Sequence, residues 1–263
     1  MKRNIRSVIA IALAFFGLAR PAAAADVIRL GVENGPHAEI AELVKKLLAK
    51  DGIEVKIFEF TDYTRPNPAL DQGDLDANSF QHQPYLDQQV KDRGYKLVGV
   101  GKSVVFPMGV YSKKIKALSQ LPQGGKIAIP NDPSNGGRAL LLLQGQGILK
   151  LDPGAGITPS VLDIVENKKN VKIIEADAAQ LANFLPDVDA AVINTNFAIQ
   201  GKLDPAKDAI ARESKDSPYV NLIVVRQADK AKPWVQKLVA AYHSAEVRKL
   251  IDTKWPGIVV PGF

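Results

Sequence analysis

The sequence predicts an α/β protein of two lobes, each a mixed sheet flanked by helices. Short apolar strands alternate with amphipathic helices along most of the chain, a pattern typical of doubly wound sheets. No repeat, low-complexity tract or flexible linker separates the two halves. We therefore expect the chain to cross between lobes inside ordered strands. With 263 residues, the chain is long enough for two lobes with substantial cores.

The N-terminal residues have the three parts of a secretory signal peptide. A basic start at Lys2 and Arg3 precedes an apolar run from Val8 to Leu18 and the small residues Ala23 to Ala25. The apolar run is shorter than the roughly 20 residues that span a bilayer. We expect residues 1–25 to be a cleaved signal peptide and the mature protein to be exported.

Charge and cysteine content narrow the function classes. Most of the formal charge of +6 comes from residues 1–25, which hold four basic residues and no acid. The remainder has no basic run interleaved with aromatics, so we expect no nucleic-acid binding. Cysteine is absent, which excludes disulfides, thiolate metal sites and cysteine catalysis. On the same ground we expect no lipid anchor.

The first part of the chain reads as alternating strands and helices. The run from Ala38 to Ala49 places Ile40, Val44 and Leu47 on one helical face, and the stretch after Gly52 alternates in polarity as a strand does. The predicted elements in chain order are strand Val27–Val32, helix Ala38–Ala49, strand Ile53–Phe60, short helix Asn67–Gln72, the strand-like piece Leu75–Phe80, helix Pro84–Arg93 and strand Tyr95–Val100.

The second part repeats this alternation, and the last segments return to the first lobe. The predicted elements are strands Met108–Ser112, Lys126–Pro130, Val171–Glu175, Asp189–Ile193 and Tyr219–Arg226, with a short helix or turn at Lys114–Pro122 and helices at Arg138–Leu143, Ala178–Phe184 and Lys232–Asp252, the last broken near Ser244. We expect one lobe from residues 26–106 with 225–263 and the other from residues 107–224. Phe106–Tyr111 and Tyr219–Val224 are the predicted crossings.

An aromatic cluster lies in the polar segment Phe60–Asp87. Tyr63, Phe80, His82 and Tyr85 occur there among Asp, Asn and Gln, although only 6% of the chain is aromatic. A packed core would use aliphatic residues at regular spacing, whereas aromatics beside polar side chains favour a pocket wall. The one histidine of this cluster has no paired-histidine spacing. The segment predicts the wall of a site for a small apolar amino acid, with no metal and no cofactor.

A second candidate site is the strand–turn–helix segment Ile127–Leu143. Asn and Ser precede the predicted helix, and Gly136 and Gly137 allow a ligand to approach the backbone closely. Arg138 in the first turn can fork onto a carboxylate near the positive end of the helix dipole. An ordinary capped helix with a surface arginine is the alternative. A phosphate loop is disfavoured because G-x-x-x-x-G-K-[ST] is missing.

Amide side chains at strand ends form a third signal. Asn194 and Asn196 follow an apolar strand, where ligands of open α/β lobes sit. Asn221 interrupts a predicted crossing strand, and a buried amide there costs about 1–3 kcal/mol unless it is bonded. An amide accepts from an ammonium and donates to a carboxylate, which suits a zwitterion. Loop or structural roles for these amides remain the alternative.

Signals for catalysis are missing. The chain has no G-x-S-x-G elbow and no HExxH. Asp62, Asp74 and Asp76 could form an acidic metal cluster, but turn and cap roles explain them more simply. We expect a binding protein whose ligand lies in the cleft between the lobes, and no enzyme.

Together these segments resemble the methionine-binding, NlpA-type lipoprotein family, the substrate-binding subunits of methionine ABC importers. The resemblance covers nearly the whole mature chain and is carried by VIRLGVENGPHAEI, FTDYTRPNPAL, DLDANSFQHQPYL, FPMGVYSKK, KIAIPNDPSNGGRALLLL, DVDAAVINTNFA and SPYVNLIVVR. It implies a two-lobed periplasmic binding protein that closes on free methionine. It also implies delivery to an ABC permease and ATPase complex in the inner membrane.

The resemblance also implies roles for individual residues. A thioether would be wrapped by Tyr63, Phe80, His82 and Tyr85, a carboxylate held by Arg138 and Asn135, and the amino-acid head group held by Asn196 and Asn221. The family commonly carries a lipobox cysteine, which this chain lacks, so a free periplasmic protein is expected. We also expect it to be a monomer. L-methionine, D-methionine, a methionine-containing dipeptide and another small apolar amino acid remain open as ligands.

Overall fold

The computed structural model describes residues 27–263. The expected signal peptide, residues 1–25, lies outside the described residues. Within residues 27–263, no helix combines the length and the apolar character that crossing a membrane requires. The described chain forms two large sheets and one small two-stranded sheet.

The first sheet has six strands and forms the first lobe. Across the sheet the strands are β13 (Val260–Pro261), β4 (Leu97–Val105), β12 (Val220–Arg226), β3 (Ala77–Ser79), β1 (Val27–Glu33) and β2 (Glu54–Phe60). Parallel pairing joins β1 to both β2 and β3, and β12 runs antiparallel to β3 and β4.

Helices cover both faces of this sheet. Alternate residues of the central strand β12 point to opposite faces and therefore pack against different helices. Ile223 and Val225 pack into one core, whereas Leu222 and Val224 pack into another. The first core is completed by α1 (Pro36–Ala49), α7 (Pro233–Tyr242) and α8 (Ala245–Lys254), and the second by α2 (Pro66–Asp71) and α3 (Gln83–Arg93).

The second sheet has five strands and is covered in the same way. The strand order is β11 (Ala209–Arg212), β5 (Gly109–Tyr111), β10 (Ala190–Ile193), β6 (Lys126–Pro130) and β9 (Lys172–Ala176), and the helices are α4 (Pro133–Gly145), α5 (Leu181–Phe184) and α6 (Thr195–Gln200). Val192 packs into one core with α4, and its neighbours Ala191 and Ile193 pack into another with α5 and α6. Strands β7 (Lys150–Leu151) and β8 (Ile164–Glu166) form the small sheet.

The predicted fold class, two lobes of mixed sheet flanked by helices, is confirmed, and the main elements lie where the sequence predicts them. The break near Ser244 is real, since its hydroxyl accepts a hydrogen bond from the Val247 N–H at 3.2 Å and caps α8. The short strands β11 and β13 and the helix α6 are not predicted, because each is too short to show a period.

The expected lobe limits stay a prediction, but the sheet pairing favours one change. Val220 to Val224 pair with β3 and β4 of the first sheet, although the sequence assigns them to the second lobe. This favours a return crossing through residues 213–219, between β11 and β12. The outward crossing runs from β4 to β5 through Phe106, Pro107 and Met108.

The start of α4 differs from the prediction. Asp132 caps the helix by accepting a hydrogen bond from the Asn135 N–H at 2.9 Å, and Ser134 and Asn135 lie inside the first turn. A carboxylate at this position satisfies a free helix N–H and also meets the positive end of the dipole. Gly137 lies against the loop that follows β7, and a Cβ there would be 2.8 Å from the Thr158 Cα.

We predict that Gly137→Ala destabilises the protein by about 1–3 kcal/mol, because the added methyl group overlaps backbone atoms that cannot rotate away. Urea unfolding of purified protein measures the change. Gly145→Ala on the same helix is the matched control, since a Cβ there meets nothing within 4 Å, and it should be as stable as the parent protein. Equal stability of the two variants would contradict the close approach.

Candidate functional site

One cavity between the two lobes brings all eight predicted site residues together. It encloses about 310 Å³ not filled by protein atoms, part of it open to solvent. Its lining residues are Tyr63, Phe80, Gln81, His82, Tyr85, Phe106, Asn135, Arg138, Asn194, Asn196 and Asn221. Neither this cavity nor any other part of residues 27–263 has a group of three or more His, Cys, Asp or Glu side chains that could hold a metal ion.

The first lobe supplies an aromatic wall. The Tyr63, Phe80 and Tyr85 rings form a triangle with centroids 5.9–6.0 Å apart. The Tyr85 hydroxyl donates to the Tyr63 carbonyl oxygen at 2.9 Å, so the loop after β2 is tied to α3. The Tyr63 ring also reaches Phe197 of the second lobe, at a centroid distance of 4.7 Å. The wall is thus rigid and spans the cleft.

A buried amide network positions this wall. The Asn67 and Gln81 side chains exchange hydrogen bonds of 2.8 and 2.6 Å. The Asn78 amide donates to Asn67 at 3.0 Å and accepts from Gln81 at 3.1 Å. Such a satisfied network fixes the backbone on both sides of Phe80. It accounts for the polar residues that separate the aromatics in the sequence.

His82 is neutral and its tautomer is defined by its contacts. Its Nδ1 accepts from the Tyr85 N–H at 3.2 Å and caps α3. The other nitrogen, Nε2, therefore carries the proton and donates to Asn135 Oδ1 at 3.1 Å. Burial, with a smaller contribution from the Arg138 charge, lowers the pKa of His82 to about 3. The ring adds a polar edge but no charge to the cavity.

Both polar atoms of the Asn135 side chain are bonded to protein groups, and one of those bonds links the two lobes. Its Oδ1 accepts from His82 of the first lobe and from Asn194 Nδ2, the latter at 2.9 Å. Its Nδ2 lies 3.0 Å from both carboxylate oxygens of Asp132. Direct contact between Asn135 and a ligand carboxylate stays a prediction, and positioning of its neighbours is what the geometry favours.

Arg138 is the cation of the cavity, and its partner Glu213 is not predicted from the sequence. The guanidinium is 3% exposed and donates from Nε and Nη2 to the Glu213 carboxylate at 2.8 and 2.5 Å. Nη2 also donates to the Phe106 carbonyl at 2.8 Å. Nη1 forms no hydrogen bond within residues 27–263, and the Tyr219 ring lies 4.4 Å from the guanidinium carbon. One edge of Arg138 is thus fixed, and Nη1 remains available to an anion.

Asn221 faces the cavity with an acceptor. Its Nδ2 donates to His37 Nε2 at 3.0 Å and to the Phe80 carbonyl at 3.3 Å. Those two contacts orient the amide, so its Oδ1 is the atom left for a ligand. Burial lowers the pKa of His37 to about 3, which keeps its Nε2 unprotonated as an acceptor. His37 is a further residue of the site that the sequence gives no reason to select.

Asn194 supplies a second acceptor. Its Nδ2 is bonded to Asn135, whereas its buried Oδ1 has no hydrogen-bond partner in the described part of the chain. A buried acceptor without a partner costs about 1–3 kcal/mol. An Oδ1 of this kind at a cavity wall is suited to an N–H of a ligand.

Asn196, at the start of α6, is engaged with the first lobe. Its Oδ1 accepts from the Tyr63 hydroxyl at 2.8 Å, and its Nδ2 donates to Glu33 at 2.5 Å. Burial raises the pKa of Glu33 well above its ordinary value, although hydrogen bonds from Gln200 and Asn196 lower it. Glu33 ends β1 and is 1% exposed, and no sequence pattern marks it as a site residue.

We predict that Glu213→Ala destabilises the protein by about 3 kcal/mol, because it leaves the Arg138 guanidinium buried without a counter-charge. Urea unfolding should also show that Arg138→Ala/Glu213→Ala loses less than the sum of the two single variants. The exposed acid Glu166, which pairs with Lys168 at 2.8 Å, gives a control, and Glu166→Ala should leave stability unchanged. Strict additivity of the two single effects would contradict a coupled pair.

Solved structures and curated relatives resemble this chain over nearly its whole length. A nutrient binding protein from Burkholderia cenocepacia, solved with bound methionine, is 58% identical and has a TM-score of 0.87, covering 90% of this chain and 100% of that one. The D-methionine-binding lipoprotein MetQ of Salmonella typhimurium is 52% identical over 239 residues, 90% of this chain and 88% of the relative. MetQ of Yersinia pestis is 47% identical over 271 residues, with both chains fully covered at 100%.

The relatives contradict the expectation of a free periplasmic protein without a lipid anchor. Both MetQ relatives are named lipoproteins, which implies attachment to a membrane through a lipid. The expectation depended only on the absence of cysteine from the sequence. The absence of one residue type is a weaker guide to anchoring than the class of the relatives, so that prediction is wrong.

The family resemblance inferred from the sequence is confirmed. The model of the NlpA lipoprotein family matches residues 28–263, and relatives near half identity carry the same class of name. The match includes both lobes and every residue that lines the cavity. The chain therefore belongs to the NlpA lipoprotein family.

Proposed function

We propose that this chain is the substrate-binding protein of an ABC importer and captures methionine by closing its lobes. The observation that carries the proposal is the set of groups in one cavity. The cavity contains the free Nη1 of the Arg138 guanidinium, which is held in place through its other nitrogens. It also contains two free amide oxygens and an aromatic wall. The relatives described as binding methionine or D-methionine support the same ligand class.

The cavity matches the polar end of an amino acid. Arg138 Nη1 is the donor available for a carboxylate, and a charge-assisted bond of this type contributes about 1.5–3 kcal/mol. The Oδ1 atoms of Asn194 and Asn221 are the acceptors available for an ammonium. Because both acceptors are neutral, the site balances one ligand charge with Arg138 and solvates the other with amides.

The aromatic wall matches an unbranched thioether. Tyr63, Phe80 and Tyr85 present ring edges and faces to the same space. A sulfur atom beside an aromatic ring contributes about 0.3–1.5 kcal/mol per contact. A ligand with a charged side chain would need a counter-charge in this wall, and the residues that line it offer none with a free charge.

Lobe closure is the proposed mechanism, because the cavity groups come from both sheets. The aromatic wall and Asn221 belong to the first lobe, whereas Asn135, Arg138 and Asn194 belong to the second. A ligand that bridges the two sets favours the closed arrangement by its differential contacts. The two crossing segments are the places where a hinge would bend.

Binding without catalysis fits the family, whose named relatives are binding proteins. The buried histidines are neutral, and the Glu213 carboxylate is paired with Arg138. The proposed partners are an ABC permease and its ATPase, which would recognise the closed shape. Another small apolar amino acid or a methionine-containing dipeptide is the second candidate ligand, because the two amide acceptors would also accept a peptide N–H.

We predict one-to-one binding of a methionine species by titration calorimetry, with clearly tighter binding than leucine, which lacks the sulfur. The protein is unfolded and refolded first, so that any co-purified ligand is removed. L-methionine, D-methionine, Gly-Met, leucine and glutamine are compared at equal concentrations. Absence of heat with every methionine species, in protein shown to be folded, would contradict the proposed function.

We predict that Arg138→Ala weakens methionine binding by at least about 2 kcal/mol, roughly the value of a charge-assisted hydrogen bond. Because this variant also leaves the Glu213 carboxylate without its ion-pair partner, the same titration is made on Arg138→Ala/Glu213→Ala, which should bind equally weakly. Arg93→Ala, at the exposed end of α3, should bind as the parent protein does. Parent-like affinity in both Arg138 variants would remove Arg138 from the site.

A further inference from the structure

Glu33 is a buried carboxyl group that belongs to neither the aromatic wall nor the set of free donors and acceptors. It is 1% exposed and lies at the C-terminal end of β1 in the first lobe. Its hydrogen-bond partners, Asn196 and Gln200, both lie on α6 of the second lobe, at 2.5 and 3.3 Å. Glu33 is therefore buried by the contact between the lobes.

No basic side chain of residues 27–263 forms an ion pair with Glu33. The charged and titratable groups that face it are Asp62, which is paired with Arg65 at 2.5 Å, and the Tyr63 hydroxyl, which is bonded to Asn196. The neighbouring strand β2 places Phe60 in register with it, and α6 presents only amides. A carboxylate buried this way is costly, because two amide hydrogen bonds do not replace its hydration.

A neutral carboxyl group fits the same contacts. Its carbonyl oxygen accepts from Asn196 Nδ2, and its O–H needs an acceptor. Rotation of the Gln200 amide by half a turn places its oxygen against that proton, because the two ends of an amide have nearly the same shape. The protonated form of Glu33 is thus fully satisfied by two side chains of α6.

We propose, on the basis of the function proposed above, that Glu33 is a protonation-controlled latch between the lobes. The neutral carboxyl group holds α6 against β1 when the cleft closes, and the charged carboxylate favours the open cleft. Glu33 acts on the ligand through Asn196 and Tyr63, so it is a positioning residue. Methionine binding is then coupled to uptake of one proton by the protein.

The sign of the coupling follows from burial. Burial raises the pKa of Glu33 well above its ordinary value when the lobes are closed, whereas water restores the ordinary value when they open. Latch stabilisation is complete below the ordinary pKa and is lost as the pH rises towards the raised one. The buried His37 and His82, whose pKa values are about 3, give the opposite trend if closure buries them. The Glu33 effect must therefore be isolated by substitution.

The test compares methionine affinity in the parent protein and in Glu33→Gln, which is neutral at every pH, by calorimetry at pH 5, 6 and 7. Methionine keeps its zwitterionic form in this range. The affinity of Glu33→Gln divided by that of the parent should rise by about tenfold per pH unit, as one linked proton requires. Glu33→Gln should therefore bind more tightly than the parent at pH 7. Glu59→Gln, an exposed acid on the adjacent strand β2, should follow the parent at each pH.

A ratio that is constant with pH would overturn the latch. If Glu33→Gln does not fold, carboxyl ¹³C NMR of the methionine-bound parent decides: a Glu33 that titrates above the ordinary glutamate range supports the latch, and one that titrates within that range overturns it. If no methionine binds, the proposed function fails and the latch is tested without ligand. Small-angle scattering should then find Glu33→Gln more compact than the parent at pH 7, with a smaller difference at pH 5. Equal dimensions at both values would overturn the latch as well.

Discussion

The ion pair between Arg138 and Glu213 is the interaction on which the arrangement of the site depends. Arg138 belongs to α4, whereas Glu213 lies on the chain segment that returns to the first sheet and Phe106 lies on the outward segment. One guanidinium group therefore contacts both segments that join the lobes. The Glu213 carboxylate also accepts from the Met108 N–H at 2.8 Å, which ties the two crossings to each other. The cation of the cavity is placed by the same contacts that order the hinge.

The rest of the cavity is polar without being charged. Burial keeps His37 and His82 neutral, and each ring orients one asparagine of the site by a single hydrogen bond. The arrangement leaves two amide oxygens and one guanidinium nitrogen free. A zwitterion can bind across such a cavity without a second buried ion, and the low dielectric constant strengthens each contact.

Several contacts between the lobes do not involve the free donors and acceptors of the cavity. Tyr63 and Glu33 both reach Asn196, His82 reaches Asn135, and the Tyr63 ring packs on Phe197. Each of these contacts joins the two lobes, so opening the cleft would have to break them. Their strength sets how much of the ligand's binding energy is needed to close the lobes.

The fold class and most elements follow from the sequence, because hydrophobic period is a local signal, and so does the selection of eight residues that line one cavity, although their roles in binding stay a prediction. Tyr63, Phe80, His82 and Tyr85 fall within one short segment, and the cavity does contain them. The tertiary structure decided which polar atoms remain free. Asn135 and Asn196 are occupied by protein partners, whereas Asn194 and Asn221 keep an oxygen available. Glu213 and Glu33 show why the sequence could not predict these atoms. Each of the two carboxyl groups has a partner far away in sequence, and only the packing of the two lobes decides whether such a group is paired, buried or free.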